Sequence, residues 1–234
     1  KGEILLLAHL HQRDVFQEVG NGIGFHTETS FEWQKHHRYY WSFDNAERFE
    51  IAMEKKIIDN SNNALVDTNF KTGEYPLQVS IFGLKESYEF HYNGNLSTLV
   101  ITPLLEKCYF SMFQALKLNS VGSLFGSAGI GKTESLKSLA QICGRKMHEF
   151  KCTATVTAEQ IIKTMHGLAI KGNWIVFDDF NLLHSGLITT YSNITHNFLT
   201  ARQAKKSSHK IDGELQVMNF NPNGAIFAVM SSSL

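Results

Sequence analysis

The stretch GSAGIGKT, from Gly126 to Thr133, constrains this chain more than any other feature. Gly126, Gly131, Lys132 and Thr133 satisfy the pattern G-x-x-x-x-G-K-[ST]. The apolar run Val121–Phe125 leads into it, and an amphipathic run from Lys132 to about Cys143 leads out, stopped by Gly144. Strand, glycine turn and helix in that order let successive backbone N–H groups point at one anion, and the helix dipole adds to the attraction. Gly126, Ser127, Ala128, Gly129, Ile130, Gly131, Lys132, Thr133 and Glu134 therefore form a candidate phosphate cradle. In it Lys132 reaches the β- and γ-phosphates and the Thr133 hydroxyl ligates Mg²⁺. A glycine-rich turn that merely opens a helix is the plain alternative. Average residue usage puts a chance match in a chain this long at about one in a hundred, and the strand-helix context lowers that further.

The rest of the second half repeats one rhythm. MHEFKC (Met147–Cys152) reads as a strand. Thr157 with Gln160 three residues on is a capping box, and Ala158, Ile161, Ile162, Met165, Leu168 and Ala169 share one helical face that ends at Gly172. NWIVFDD is the next strand, and Leu187, Ile188, Tyr191, Ile194, Phe198 and Leu199 mark another helix. NPNG is a turn and AIFAVM a fourth apolar strand. Strands that alternate with helices predict an α/β fold, a parallel sheet flanked by helices. Asp178 emerges at the carboxyl end of its strand, where open parallel sheets place ligands, and is the natural Mg²⁺ carboxylate. Asp179 follows where many phosphate-loop ATPases place a Glu that polarises the attacking water. Its side chain is one methylene shorter, and a misplacement of about 1 Å costs on the order of 10²-fold in rate. Binding can thus survive while turnover slows.

Composition narrows the partners. The chain has 234 residues with 22 basic and 22 acidic side chains, so it offers no electrostatic footprint for nucleic acid or an anionic membrane. Apolar residues are 43% of the chain, yet no run approaches the roughly 20 residues of a membrane helix. The cysteines Cys108, Cys143 and Cys152 lack CxxC spacing, which argues for a reducing compartment and against a zinc knuckle. His9/His11 and His36/His37 have no accompanying ligand spacing and read as packing or solvated histidines. The basic run Ala201–Lys210 reads as a solvated helix end. The polar stretch from Phe43 to Thr72 reads as a loop, and FKTGEYPLQVSIFG as a short hairpin. The chain starts without Met and reads as a piece of something longer.

Several segments together resemble one family. FEWQKHHRYYW (Phe31–Trp41), YNGN (Tyr92–Asn95), LVITPLLEKCY (Leu99–Tyr109), the phosphate loop and GNWIVFDDFN (Gly172–Asn181) come in the order seen in dynein heavy chains. They look like the end of the linker followed by the first AAA+ module of the motor ring, with an insertion near 43–77. The resemblance implies residues 1–95 as a mostly helical linker end and 96–234 as part of the AAA+ large subdomain, without its lid and last strand, which would leave the phosphate-loop strand at a sheet edge. It implies that Val100, Ile101, Thr102 and Pro103 form the adenine-side loop; a β-branched run ended by Pro also reads as a flat apolar wall, or equally as a buried strand edge. Trp33, Tyr40 and Trp41, spaced i, i+7, i+8, would pack within the linker, a spacing that also suits plain helix core.

The same resemblance sets the functional expectations. They are ATP and Mg²⁺ as cofactors, ATP hydrolysis coupled to linker movement, microtubules and other dynein heavy, intermediate and light chains as partners, and the cytoplasmic cytoskeleton or the cilium axoneme as location. Lys132, Asp178, Asp179 and Ser231 would carry catalysis, with Thr133 and Asp178 on the metal. Three departures stand out. Asp178-Asp179 replaces the usual Asp-Glu, Ser231 stands at the sensor position where an Asn is usual, and Leu182 replaces an Arg after Asn181. The arginine finger is expected from a neighbouring module, so the piece alone is expected to be a poor enzyme. The alternatives are a dynein-like chain that binds ATP but hydrolyses it slowly, and an unrelated phosphate-loop ATPase such as a helicase.

Overall fold

The computed structural model describes residues 9–10, 12–17, 21, 30–41, 77–94, 99–204, 208–209 and 218–232. The second half is an α/β layer. Its strands are β4 (Gly122–Gly126), β5 (Met147–Lys151), β6 (Trp174–Asp178) and β9 (Ala225–Ser231), all parallel, in the spatial order β4-β9-β6-β5. The chain leaves β4, crosses to the far edge at β5 and returns through β6 to β9 beside β4. Helices α3 (Lys132–Ile142), α4 (Ala158–Lys171) and α5 (Ser185–Gln203) make the crossovers. The carboxyl ends of β4, β9 and β6 therefore open beside one another, at the topological switch where such sheets hold ligands. Among the described residues β4 pairs with β9 alone.

Residue pattern explains the layers. β6 is buried on both faces, so Trp174, Ile175, Val176 and Phe177 are all buried and only Asp178 rises toward solvent. Trp174 and Val176 join Phe227, Val229, Leu136 and Leu139 under α3 and the preceding helix α2 (Pro103–Lys117). Ile175 and Phe177 join Ile226, Ile161, Met165 and Phe198 under α4 and α5. Each such side chain contributes roughly 1.5–3 kcal/mol by leaving water. α4 begins with the expected capping box of Thr157 and Gln160 and ends at Gly172, whose φ of 69° suits the left-handed turn.

The first part docks on this layer. It carries a short helix α1 (Phe31–Gln34) and an antiparallel sheet β1-β2-β3 (Arg38–Trp41, Leu77–Ile81, Leu84–Ser87), in which β2 and β3 form a hairpin across Phe82-Gly83. Val79 and Ile81 of β2 are buried in the core shared with α2. Lys117 of α2 pairs with Glu86 at 3.0 Å and donates to the Lys85 carbonyl. Tyr39 donates from its hydroxyl to the Ile142 carbonyl at the end of α3, 3.0 Å away. Tyr88 lies so close to Gly144 that a Cβ there would sit 2.4 Å from its ring, so this position requires glycine.

One expectation is corrected here. The spacing of Trp33, Tyr40 and Trp41 also reads as helix core, but Tyr40 and Trp41 lie on strand β1 and are exposed, and Trp33 alone is in α1. Pairing with β2 in the register Arg38↔Ser80 to Trp41↔Leu77 overrides the helical period. The described residues of this half thus carry sheet as well as helix. Of the expected insertion at 43–77 only Leu77 is described, opening β2; the rest lies outside the described residues, as do Asn95 and parts of the basic run Ala201–Lys210. The two-stranded ribbon β7-β8 (Ser208–His209 with Met218–Asn219) completes the strands of the structure.

Candidate nucleotide site

The phosphate loop joins β4 to α3. Gly129 and Gly131 have φ of 77° and 87°, which a glycine adopts without strain, and a Cβ on either would meet nothing within 4 Å. Gly131 is the N-cap of α3, and no side chain caps the helix. The first-turn amides of Lys132, Thr133 and Glu134 are thus left to an outside acceptor, at the positive end of an eleven-residue helix. A Cβ on Gly126 would fall 2.7 Å from Cδ1 of the exposed Ile130 side chain, which would have to swing aside.

A cavity of about 350 Å³ opens at this point, lined by Ala128, Gly129, Gly131, Lys132, Thr133, Glu134, Asp178, Asp179 and Ser231. Three chain segments converge there: the loop and α3, the end of β6 and the end of β9. Lys132 folds over the loop and donates from Nζ to the carbonyls of Gly126 and Ser127, at 3.1 and 2.7 Å. Thr133 donates from Oγ1 to Asp178 Oδ1 at 3.0 Å. The same carboxylate oxygen accepts the Asp179 amide at 3.2 Å. Asp179 has φ 52° and ψ 44°, a left-handed conformation uncommon outside glycine but tolerated by Asp. Its Oδ1 accepts the Ser231 hydroxyl at 3.0 Å.

This donor set fits a Mg²⁺–nucleotide. Magnesium prefers oxygen ligands and is held through one or two carboxylates plus substrate phosphates, and Thr133 Oγ1 and Asp178 Oδ1 stand 3.0 Å apart at the cavity wall. Among the described residues no cluster of three or more His, Cys, Asp or Glu could hold a metal by itself. The cysteines are all free; burial pushes the Cys152 thiol up to about 11, with Asp178 and Asp179 adding to the rise.

The structure brings Lys132, Thr133, Asp178, Asp179 and Ser231 to one cavity. It places Ser127 and Ile130 on the exposed rim of the loop. Val100–Pro103 lie elsewhere. Thr102 is the N-cap of α2 and accepts the Leu105 amide at 3.3 Å, and Pro103 is its first residue. Val100 and Ile101 line a second cavity of about 450 Å³ with Leu99, Lys35, Glu106 and Tyr109, among others. Tyr109 donates from its hydroxyl to Ser138 Oγ of α3 at 2.9 Å, so this second cavity abuts the helix that carries the phosphate loop. Leu182 is exposed beside the turn. Sequence reasoning passed over Asn181, whose Oδ1 accepts the Ser231 amide at 3.2 Å. An amide side chain three residues past a strand-end acidic residue is too common a pattern to single out from sequence.

Comparison with known proteins gives the family. Residues 88–234 match the sequence family described as the hydrolytic ATP binding site of the dynein motor region. The chain is 29% identical over 231 residues to dynein axonemal heavy chain 8 of Homo sapiens, covering 99% of this chain and 4% of that protein. It is 30% identical over 233 residues to human cytoplasmic dynein 2 heavy chain 1, covering 99% of this chain and 5% of that protein. Over 237 residues it is 29% identical to cytoplasmic dynein 2 heavy chain 1 of Tripneustes gratilla. It thus spans a few per cent of the length of the curated relatives it matches.

Proposed function

This chain belongs to the dynein heavy-chain family, as its hydrolytic ATP-binding region, and from that premise we propose a residue-level account of how it handles ATP. The α3 amides and the Lys132 ammonium hold the β- and γ-phosphates. Thr133 Oγ1 and Asp178 hold Mg²⁺, which supplies charge neutralisation of the phosphates when bound. Asp179 orients the attacking water, with Ser231 at its side. The observation that carries this reading is the convergence of Lys132, Thr133, Asp178, Asp179 and Ser231 on one cavity at the mouth of the sheet. Adenine lies against Val100 and Ile101; the support is that their cavity abuts α3 through the Tyr109–Ser138 contact. Thr102 and Pro103 contribute by fixing the start of α2.

Residues 1–95 are the linker end and 96–234 the AAA+ large subdomain in this account. Contacts of the first sheet with the far end of α3 would carry nucleotide state to the linker, and the parent chain would move on microtubules with other dynein chains, in the cytoplasm or in a ciliary axoneme. Relatives of both kinds, axonemal and cytoplasmic, stand in support. The family match leaves no room for an unrelated helicase-like ATPase.

One observation favours a second reading in which turnover is slow. The carboxylate after Asp178 is the shorter Asp179, and it is engaged by Ser231. Single-turnover phosphate release by the full motor, compared with Asp179→Glu, separates the two. A wild-type rate in the range of 1–10³ s⁻¹, typical of enzymes, supports the motor reading. A many-fold gain in the glutamate variant supports the slow one.

A further inference from the structure

Asp179 stands in the left-handed region, uncommon outside glycine though tolerated by Asp. Residues held in the left-handed region persist when the surroundings over-determine them: the Asp179 amide donates to Asp178 Oδ1, its carbonyl accepts the Leu182 amide, and its Oδ1 accepts the Ser231 hydroxyl. β6 and β9 pair only as far as Phe177↔Ala228, after which β6 turns away into the 3₁₀ turn Phe180–Leu182. On its other side β9 stays paired with β4 through Gly126↔Ser231, and the Ser232 amide donates to the Gly126 carbonyl. The Ser231 amide therefore faces the side that β6 has left. Asn181 fills that place: its Oδ1 accepts the Ser231 amide at 3.2 Å, standing in for a strand carbonyl. From the position so fixed, the Ser231 hydroxyl donates to Asp179 Oδ1 at 3.0 Å. Asp179 and Asn181 lie on the same turn, so the three residues close a ring that clips the end of β6 to the end of β9.

We propose that Asn181 is a positioning residue for hydrolysis, anchoring Ser231 so that its hydroxyl sets where the Asp179 carboxylate stands over the phosphate loop. The proposal rests on the reading of Asp179 as the water-orienting carboxylate. Asn181 itself does not line the cavity, so it acts through Ser231. A short carboxylate has little reach to spare, which makes its placement the sensitive quantity. A shift of about 1 Å in a reacting group costs on the order of 10²-fold.

The test is a set of variants of the full heavy chain, read by Mg-ATP affinity and by single-turnover phosphate release. Asn181→Ala removes the acceptor and should slow phosphate release by roughly 10- to 100-fold with Mg-ATP affinity within about twofold of wild type. Asn181→Asp keeps an Oδ1 acceptor and should retain most of the rate. Ser231→Ala should match Asn181→Ala, and the double variant should be no slower than either single, because both act through one contact. Loss of affinity and rate together in Asn181→Ala, with Asn181→Asp equally impaired, would mark a merely structural role and overturn the proposal. Wild-type turnover that is indifferent to Asn181→Ala overturns the proposal alone. A wild type that binds Mg-ATP but releases no phosphate overturns the hydrolytic reading of Asp179, and the proposal with it.

Discussion

The join between the first sheet and the AAA+ layer includes one buried ion pair, and breaking it is a sharp test of how the segment after β3 is held to the sheet. Glu89 follows β3 and is buried, with its side chain 3% exposed against 2% for Arg145. It accepts from Arg145 Nη1 at 2.5 Å, from Asn223 Nδ2 at 2.6 Å and from His91 Nε2 at 3.1 Å. Arg145 also donates to the carbonyls of Ser87 and Asn223, each at 3.2 Å. This network lies where β5 and β9 begin, at the end of the sheet opposite the phosphate loop. Arg145→Met keeps much of the stem and removes the charge, leaving the buried Glu89 carboxyl with Asn223 and His91 as its donors. Breaking a buried pair by removing one partner costs about 3–5 kcal/mol, chiefly through the charge left behind. At about 1.4 kcal/mol per factor of ten, that is on the order of 10²- to nearly 10⁴-fold in the opening equilibrium of the segment. The reporters are the amides of Glu89 and His91, which donate to the Cys143 and Gly144 carbonyls at 3.4 and 2.8 Å. Hydrogen exchange of residues 88–93 in Arg145→Met should lose about 10²-fold of its protection or more. Replacing both partners with apolar residues should recover part of it. Protection within threefold of wild type in Arg145→Met would refute the idea that this ion pair fastens the segment to the sheet.

Two further perturbations test the site and the core. Thr133→Val removes only the hydroxyl, and loss of a hydrogen bond to a charged group is worth about 1.5–3 kcal/mol; Mg-ATP affinity, followed with and without EDTA, should fall about 10- to 100-fold toward the metal-free value. Burial pushes the Tyr191 phenol up to about 12. The folded state then keeps its proton where the unfolded phenol, near pH 10, has lost it. Stability from this group is therefore whole below pH 10 and fades as pH rises to about 12, and ultraviolet phenolate titration should show this tyrosine ionising late, with Tyr191→Phe shallowing the alkaline loss.

The second half was legible because each element announced itself locally. The capping box at Thr157 and the left-handed stop at Gly172 lie where the residues put them, and the abrupt acidic end of TrpIleValPheAsp marks the strand end at Asp178. The first half depended on partners distant in sequence. Arg38–Trp41 is a strand because β2, some forty residues on, pairs with it, and nothing within RYYW declares this. Around the phosphates the side-chain types were readable, but their mutual bonds were not. That Ser231 reaches Asp179, and that Asn181 secures Ser231, follows from where β6 leaves the sheet. The placement of Val100 and Ile101 in a separate cavity likewise depends on the packing of α2 against the first part, beyond the reach of a local pattern.

The loop before α3, with one ammonium group, is the proposed grip on the triphosphate. Equilibrium binding of Mg-ATP to the intact heavy chain and to its Lys132→Ala variant, by calorimetry or a fluorescent analogue, tests it most directly. The Lys132 amine reaches back over the loop to the Gly126 and Ser127 carbonyls, within range of phosphates cradled there. Its charge-assisted contacts are worth about 1.5–3 kcal/mol, so affinity should weaken roughly 10- to 100-fold. An unchanged affinity would contradict the proposed grip.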